Sequence, residues 1–163
     1  MIDCETDSKL RTLADVRLVL RIHGGNPTPT GYLFAKKGWI VFEEKEGVDV
    51  DEVFEPALEA GALDVTTDDD GRVVVVTEPN ETKAVGESLS EKLDVQIATS
   101  EIVWDPIEDT KVAMQSDEAA QDLTKFLDAL QDRESSLQGV YMNVSQGSAD
   151  DEAWAELRSR MTA

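Results

Sequence analysis

The chain has 163 residues, 40% of them hydrophobic, a balance that is ordinary for one or two globular domains with real cores. No apolar run approaches the roughly 20 residues that cross a bilayer, and Cys4, the single cysteine, excludes an internal disulfide bond. The net charge of −20 repels phosphate, which argues against indiscriminate binding of nucleic acids.

The positive charges are concentrated in the segment from Lys9 to Lys37. This segment has six basic side chains and one carboxylate, that of Asp15, so it carries +5 while the rest of the chain carries −25. Its basic residues are Lys9, Arg11, Arg17, Arg21, Lys36 and Lys37. A molecule polarised in this way is expected to have one face suited to polyanions and another suited to basic partners. The alternative is that the acidic residues serve only solubility.

A strand followed by a helix is predicted for the first part of the chain. Apolar and acidic residues alternate over residues 2–6, the period of a half-buried strand. Thr12 is a candidate N-cap of a helix that runs to about His23, and Gly24 supplies a left-handed C-cap. We interpret His23 as a residue that stabilises the helix dipole, because the chain has no second histidine to support catalysis.

Strands and helices alternate in the segments that follow. Residues 31–35 are expected to form a short strand, Lys36-Lys37-Gly38 a turn, and residues 39–43 another strand. A helix is predicted between Asp49 and Gly61, and Pro56 either delays its start or bends it.

The clearest local signal is a hairpin. Strands at residues 63–67 and 72–77 flank Asp69-Asp70-Gly71, a tight-turn sequence. The acidic triplet at 68–70 raises the alternative of a metal site, but no further ligands follow at fixed spacing. Turn chemistry therefore explains the triplet better.

The second half of the chain repeats the alternation. A helix begins near Pro79-Asn80, residues 95–104 are extended, and residues 111–114 form a strand. Ser116 caps a strong amphipathic helix, and residues 139–144 form the last strand.

This order predicts an α+β fold made of two ferredoxin-like βαββαβ sandwiches, one inserted in the other. Residues 39–105 form the inserted domain, and residues 1–37 and 108–146 combine into the outer domain. The tail, residues 148–163, is expected to be a helix capped by Ser148 that packs on its own domain, frays, or docks to a partner. Its apolar side is formed by Trp154, Leu157 and Met161.

Several short stretches resemble the YebC family, whose mitochondrial members include the translational activator of cytochrome c oxidase subunit I. The stretches follow the family's order over nearly all of residues 1–145. They are Glu5-Thr6-Asp7, Arg11-Thr12, Asp15-Val16-Arg17, His23-Gly24-Gly25-Asn26, Gly31, Phe34, Lys36-Lys37-Gly38, Glu59-Ala60-Gly61-Ala62 and Val140-Tyr141-Met142-Asn143. The resemblance implies the same nested two-domain architecture.

The chain departs from the family pattern in three places. The resemblance implies a basic helical domain before the first strand, whereas this chain starts directly at that strand. Ser135-Ser136 stands where the family usually has a pair of aspartates, and the tail after Gly147 has no family counterpart.

The resemblance implies a non-enzymatic translation factor that associates with the ribosome or RNA, in mitochondria or alternatively in the cytoplasm. The residues expected to contact nucleic acid are Arg11, Arg17, Arg21, His23, Lys36 and Lys37, with the backbone amides of Gly24 and Gly25 adding contacts. The acidic surface would suit a basic protein partner. No membrane partner is expected, and the chain is expected to be a monomer.

Two alternative functions are open. The family's older description is a DNA-binding transcriptional regulator, but the sequence has no recognition-helix motif, zinc module or basic region. The other alternative is an enzyme or a ligand-sensing module. Because the sequence has no phosphate loop, metal-spaced cluster or nucleophile–base pair, neither a cofactor nor a metal is expected.

Overall fold

The computed structural model describes residues 1–68 and 70–162 and has the mixed α+β fold that the sequence predicts. In chain order its elements are β1 (Ile2–Cys4), α1 (Lys9–Ile22), β2 (Phe34–Phe42), α2 (Val50–Ala60), β3 (Asp64–Thr67), β4 (Val73–Thr77), α3 (Thr82–Leu93), β5 (Ile97–Pro106), β6 (Val112–Ala113), α4 (Asp117–Arg133), β7 (Leu137–Val140), β8 (Val144–Ser145) and α5 (Asp151–Arg158). Single 3-10 turns occupy Gly31–Leu33 and Glu108–Thr110. Within the described residues, no helix combines the length and apolar character that crossing a membrane requires.

The chain packs as two compact units. Unit 1 contains residues 1–35 together with the chain from Trp104 onward, and unit 2 contains residues 36–103. The sequence predicts domain boundaries at 37/39 and 105/108, and the division of the structure falls at 35/36, inside β2, and at 103/104, inside β5.

Unit 2 combines a four-stranded sheet with two helices. Its strand order, β3-β4-β2-β5, is that of a ferredoxin-like βαββαβ unit. β4 pairs antiparallel with β2 on one side and with β3 on the other. All five residues of β4 are buried, and Val75 shares a core with Ile40 of β2, Val53 of α2 and Leu89 of α3. Burial of these apolar side chains holds the helices on the sheet.

The predicted hairpin of unit 2 is confirmed. β3 and β4 pair antiparallel, and Gly71 in the connection has a φ of +82°. Burial raises the pKa of the Asp68 carboxyl, but hydrogen bonds from the Arg72 backbone N–H and guanidinium, each 2.8 Å long, outweigh it and leave that pKa lowered. Asp69, in the predicted turn, lies outside the described residues.

Unit 1 is built from both ends of the chain. β1 pairs antiparallel with β7, where Ile2 lies opposite Val140, and β6 pairs in parallel with β8. α4 packs against both α1 and α5. Val19 of α1, Leu127 of α4 and Leu157 of α5 are buried in one core. The helices of unit 1 are therefore held together by apolar burial.

Two segments around residue 35 differ from their predictions. Gly31–Leu33 forms a 3-10 turn rather than the predicted strand. Without a strand there, the described strands of unit 1 pair as two two-stranded sheets, β1 with β7 and β6 with β8. Lys36-Lys37-Gly38 lies inside β2 rather than in a turn, because Gly38 pairs with Thr77 of β4. A Cβ on Gly38 would collide with the hydroxyl groups of Thr77 and Thr82. This glycine therefore permits a close approach in a strand.

α1 begins one turn earlier than predicted. Ser8 precedes its first helical residue, and Thr12 is buried inside the helix, where its hydroxyl donates to Thr6 Oγ1 at 2.9 Å. The prediction for the other end is confirmed, since Gly24 follows the helix with a φ of +75°.

The starts of the two later helices are fixed by side-chain caps. The prediction for α4 is confirmed: Ser116 Oγ accepts a hydrogen bond from the Ala119 N–H at 3.2 Å. α5 is capped by Asp150 rather than Ser148, because an Asp150 carboxylate oxygen accepts from the Ala153 N–H at 2.7 Å. The tail then packs on unit 1, with Leu157 fully buried.

Candidate nucleic-acid interface

One side of α1 packs against the rest of unit 1, and the other side faces solvent. Thr12 and Val19 are buried, and Val19 belongs to the core shared with α4. Leu10, Arg17 and Arg21 are exposed. Their spacings of seven and four residues place them along one stripe of the helix. α1 therefore presents two guanidinium groups, one turn apart, to solvent.

Arg17 and Arg21 have no carboxylate bound to them within the described part of the chain. Among residues 1–68 and 70–162, neither side chain forms a salt bridge. Asp15, the one carboxylate between Lys9 and Lys37, is held by Arg133 of α4, whose Nε donates to Asp15 Oδ1 at 2.8 Å. The positive charge of Arg17 and Arg21 is therefore not neutralised by an ion pair, although the chain carries −20 overall.

Arg11 lies on a different side of α1. It precedes Arg17 by six residues and Arg21 by ten, which at 100° per residue places it about 80–120° away around the helix. Arg11 Nη2 contacts Asp7 Oδ1 at 2.6 Å, and both side chains are largely exposed. Arg11 is therefore separate from the Arg17–Arg21 pair and partly neutralised.

The two lysines of the predicted site lie in the other unit. Lys36 and Lys37 belong to unit 2, whereas the arginines belong to unit 1. As consecutive residues of β2 they project towards opposite faces of the strand, and Lys36 is exposed while Lys37 is half-buried. The structure thus brings Arg17 and Arg21 together on one element and places the two lysines on another.

His23 follows the last residue of α1 and is exposed. Its ring meets the ring of Phe126 edge to face, with centroids 5.7 Å apart. The backbone N–H groups of Gly24 and Gly25 donate to carbonyl oxygens of the last turn of α1, at 3.2 and 2.7 Å. Both N–H groups therefore close the end of the helix, and their contact with a ligand stays a prediction.

Sequence reasoning missed a cavity in unit 1, beside the end of α1. Its volume is about 350 Å³. The side chains that line it include Leu20, Asn26, Phe34, Phe126, Met142 and Asn143. Two of the stretches that carry the family resemblance, 23–26 and 140–143, therefore meet at one cavity. The signal in the sequence was that each of these stretches ends in an asparagine.

Glu134, the residue after α4, is a buried carboxylate. Its Oε1 accepts hydrogen bonds from the Ser136 hydroxyl at 2.6 Å and from the Ser136 backbone N–H at 3.0 Å. These hydrogen bonds hold the pKa of the Glu134 carboxyl below its ordinary value. Burial and the negative charge of Glu134 raise the pKa of the Cys4 thiol. Ser136, part of a departure from the family pattern, therefore supplies the donors for a structural carboxylate.

Unit 2 carries an acidic groove of about 650 Å³. Its lining carboxylates are those of Glu43, Glu44, Glu46, Asp49 and Asp51. Lys45 and Arg72 also line the groove, but each is paired with a carboxylate, Lys45 with Asp94 and Arg72 with Asp68. In the part of the chain that is described, no three or more His, Cys, Asp or Glu side chains are grouped so that they could hold a metal ion.

One family model and several proteins of known sequence are similar to this chain. The family model described as the second and third domain of TACO1/YebC matches residues 1–144. A probable transcriptional regulatory protein of Persephonella marina is 40% identical over 146 residues, which cover 88% of this chain and 56% of that protein. A protein of the same description from Nitrosomonas eutropha is also 40% identical over 146 residues, with 86% and 57% covered. The chain thus spans a little over half the length of these relatives.

A solved structure is similar to this chain in both fold and sequence. The crystal structure of a conserved hypothetical protein from Aquifex aeolicus superposes with a TM-score of 0.71 and is 34% identical. The likeness covers 93% of this chain and 60% of that one.

Proposed function

This chain belongs to the TACO1/YebC family, and from that membership we propose that it is a non-enzymatic translation factor that binds ribosomal or messenger RNA. The part of the proposal that concerns translation rests on the family resemblance. The exposed stripe of α1 supplies the surface through which the chain would touch the polynucleotide.

The observation that carries the proposal is the Arg17–Arg21 pair. A chain of net charge −20 repels RNA as a whole. A contact with RNA therefore needs a place where basic side chains are not neutralised by ion pairs with carboxylates. Guanidinium groups stay protonated and bind phosphate oxygens in a two-pronged geometry. Arg17 and Arg21 stand one helical turn, about 5.4 Å, apart, so they can reach neighbouring phosphates of one strand.

The test is co-sedimentation with ribosomes, and binding of a labelled single-stranded RNA, at low and moderate salt. The double variant Arg17→Glu/Arg21→Glu is compared with Lys83→Glu/Lys125→Glu, which changes the net charge equally at exposed lysines of α3 and α4. We expect the native chain and the lysine variant to associate at low salt, and the arginine variant to lose association. Failure of the native chain to bind either target at low salt would overturn the proposal.

A second candidate function is binding of duplex DNA in transcriptional regulation. It is favoured by the description of the relatives as probable transcriptional regulatory proteins. A gel shift with duplex DNA under the same salt conditions separates the two. The second function would replace the first if the chain binds duplex DNA more tightly than single-stranded RNA or ribosomes. The duplex binding should then be lost in Arg17→Glu/Arg21→Glu.

The location and the other partners stay predictions. The relatives described above are bacterial, whereas the family resemblance predicts mitochondria, with the cytoplasm as the alternative. A basic protein would be the partner suited to the acidic groove of unit 2, and a monomer is the predicted state.

A further inference from the structure

We propose that the cavity at the end of α1 takes one unpaired nucleobase of the strand that Arg17 and Arg21 hold. For the polynucleotide this rests on the proposed function, whereas the cavity itself can be tested with uncharged nucleosides. The cavity lies wholly within unit 1. Its volume of about 350 Å³ falls in the range of roughly 300–1,000 Å³ that is usual for small-molecule sites.

The walls of the cavity suit a flat aromatic ligand. Phe34 is buried and Phe126 is half-buried, and both rings line the space. Leu20 and Met142 add apolar surface beside them. Every base has a π-face, so aromatic walls accept an unpaired base whatever its identity.

The polar groups of the cavity suit the edge of a base. Asn143 Nδ2 donates to the Thr110 carbonyl oxygen at 2.9 Å, which fixes the amide and leaves Oδ1 with no partner among the described residues. The Asn26 side chain is exposed, and within the described chain it makes no hydrogen bond. A side-chain amide offers both a donor and an acceptor, the combination with which asparagine recognises base edges.

The charges around the cavity suit a polyanion. The chain has 35 acidic residues, yet none of the described residues that line the cavity is acidic. Leu20 lines the cavity, and Arg21 is the next residue, with Arg17 one turn before it. His23 contacts Phe126, which is itself a wall. A nucleotide whose base enters the cavity can therefore direct its phosphate towards the arginines of α1.

The test blocks the cavity without touching the arginines. Thr28 is an exposed residue at the lining, so Thr28→Trp adds bulk there at little risk to folding. Thr99→Trp, at an exposed position of β5, is the matched control. Adenosine, guanosine, cytidine and uridine are titrated separately while the Met142 methyl signal is followed by NMR. We expect a saturable shift with at least one nucleoside in the native chain and in Thr99→Trp, and no shift in Thr28→Trp.

A second measurement uses oligonucleotides of equal charge. A base-bearing RNA strand is compared with an abasic strand of the same length. We expect the native chain to bind the base-bearing strand roughly tenfold more tightly, the size of effect that one stacked base produces. Thr28→Trp should bring this ratio close to one without changing the salt dependence, because Arg17 and Arg21 remain.

The two measurements separate the failure of this inference from failure of the proposed function. If no strand binds but nucleosides shift Met142, the RNA function is wrong and the cavity site stands. If both strands bind equally and nucleosides leave Met142 unchanged, the nucleobase site is overturned while the RNA function stands. If neither strands nor nucleosides have an effect, both are overturned.

Discussion

Arg133, in the last turn of α4, donates from Nε to Asp15 of α1 at 2.8 Å, which joins two residues 118 positions apart in sequence. The bond keeps the one carboxylate of the basic segment on the side of α1 that faces α4. It therefore both links the two helices and leaves the exposed stripe of α1 without a negative charge.

The Asp15–Arg133 pair is expected to add little stability. Its side chains are 22% and 51% exposed, and ion pairs with this much contact with water contribute about 0.2–1 kcal/mol. A double-mutant cycle with Asp15→Asn and Arg133→Gln, measured by urea unfolding, should give a coupling energy in that range. A coupling energy of zero would contradict a stabilising contribution from the pair, and one several times larger would contradict its exposure to water.

The slope of log K against log salt for RNA binding reports how many phosphate contacts the arginines make. For single strands, log K falls with log salt by about 0.7 for each phosphate contact. Arg17→Gln/Arg21→Gln should therefore make the slope shallower by about 1.4, as measured by fluorescence anisotropy at several salt concentrations. Lys83→Gln/Lys125→Gln should leave the slope unchanged, and a reduced slope in that variant would mean that binding follows net charge alone.

Gly38→Ala is expected to destabilise unit 2. The added methyl group would collide with the Thr77 and Thr82 hydroxyls, which are buried and 2.9 Å apart. Overpacking of this kind costs about 1–3 kcal/mol. Gly31→Ala is the control, because nothing lies within 4 Å of a Cβ there. Equal urea midpoints for the two variants would show that the Thr77 and Thr82 side chains can move aside to accommodate the added methyl group.

Leu157→Ala tests whether the C-terminal helix is part of the core of unit 1. Leu157 is fully buried, and replacing such a leucine by alanine costs about 2–5 kcal/mol. Leu10→Ala should change the free energy of unfolding little, since Leu10 is 83% exposed. A negligible loss for Leu157→Ala in chemical denaturation would mean that α5 does not contribute to the folded core.

Glu134 makes folding sensitive to acid. Hydrogen bonds from Ser136 place the pKa of its carboxyl below the ordinary value of 4.5 in the folded chain. The carboxylate therefore stabilises the fold above about pH 4.5, and this contribution is lost as the pH falls through the lowered folded pKa. The urea midpoint of Glu134→Gln should lie below that of the native chain at pH 7 and approach it on acidification.

Glu101→Gln, at an exposed position of β5, is the control for this pH series. It should change the midpoint little at any pH. A difference between Glu134→Gln and the native chain that persists unchanged in acid would mean that the glutamine is harmful through packing rather than through charge.

Local signals predicted the elements that local chemistry determines. Three confirmed predictions depend on neighbours within a few residues. They are the cap at Ser116, the left-handed conformation of Gly24 and the hairpin with Gly71 in its turn. The sequence predicts a turn at Lys36-Lys37-Gly38, because glycine is common in turns. The segment is a strand because Gly38 meets Thr77, a partner that sequence spacing does not reveal.

The candidate site was predicted only in part, for the same reason. The charge of residues 9–37 is visible in the sequence, but the pairing of Arg11 with Asp7 and the placement of Lys36 and Lys37 on alternate faces of a strand are not. The cavity brings together residues from three parts of the sequence, 1–2, 20–34 and 126–144. Such a meeting depends on tertiary packing and has no periodic signal.

The pairing of β1 with β7 also predicts an order of folding. Ile2 lies opposite Val140, so the partner of the first strand is synthesised after all of residues 36–103. Unit 2 is continuous in sequence and can complete its own contacts while the chain is still growing. Once folded, it shortens the flexible loop that must close, which lowers the entropic cost of bringing the chain ends together. We therefore expect unit 1, whose strands β1 and β7 pair across the whole of unit 2 in sequence, to close last.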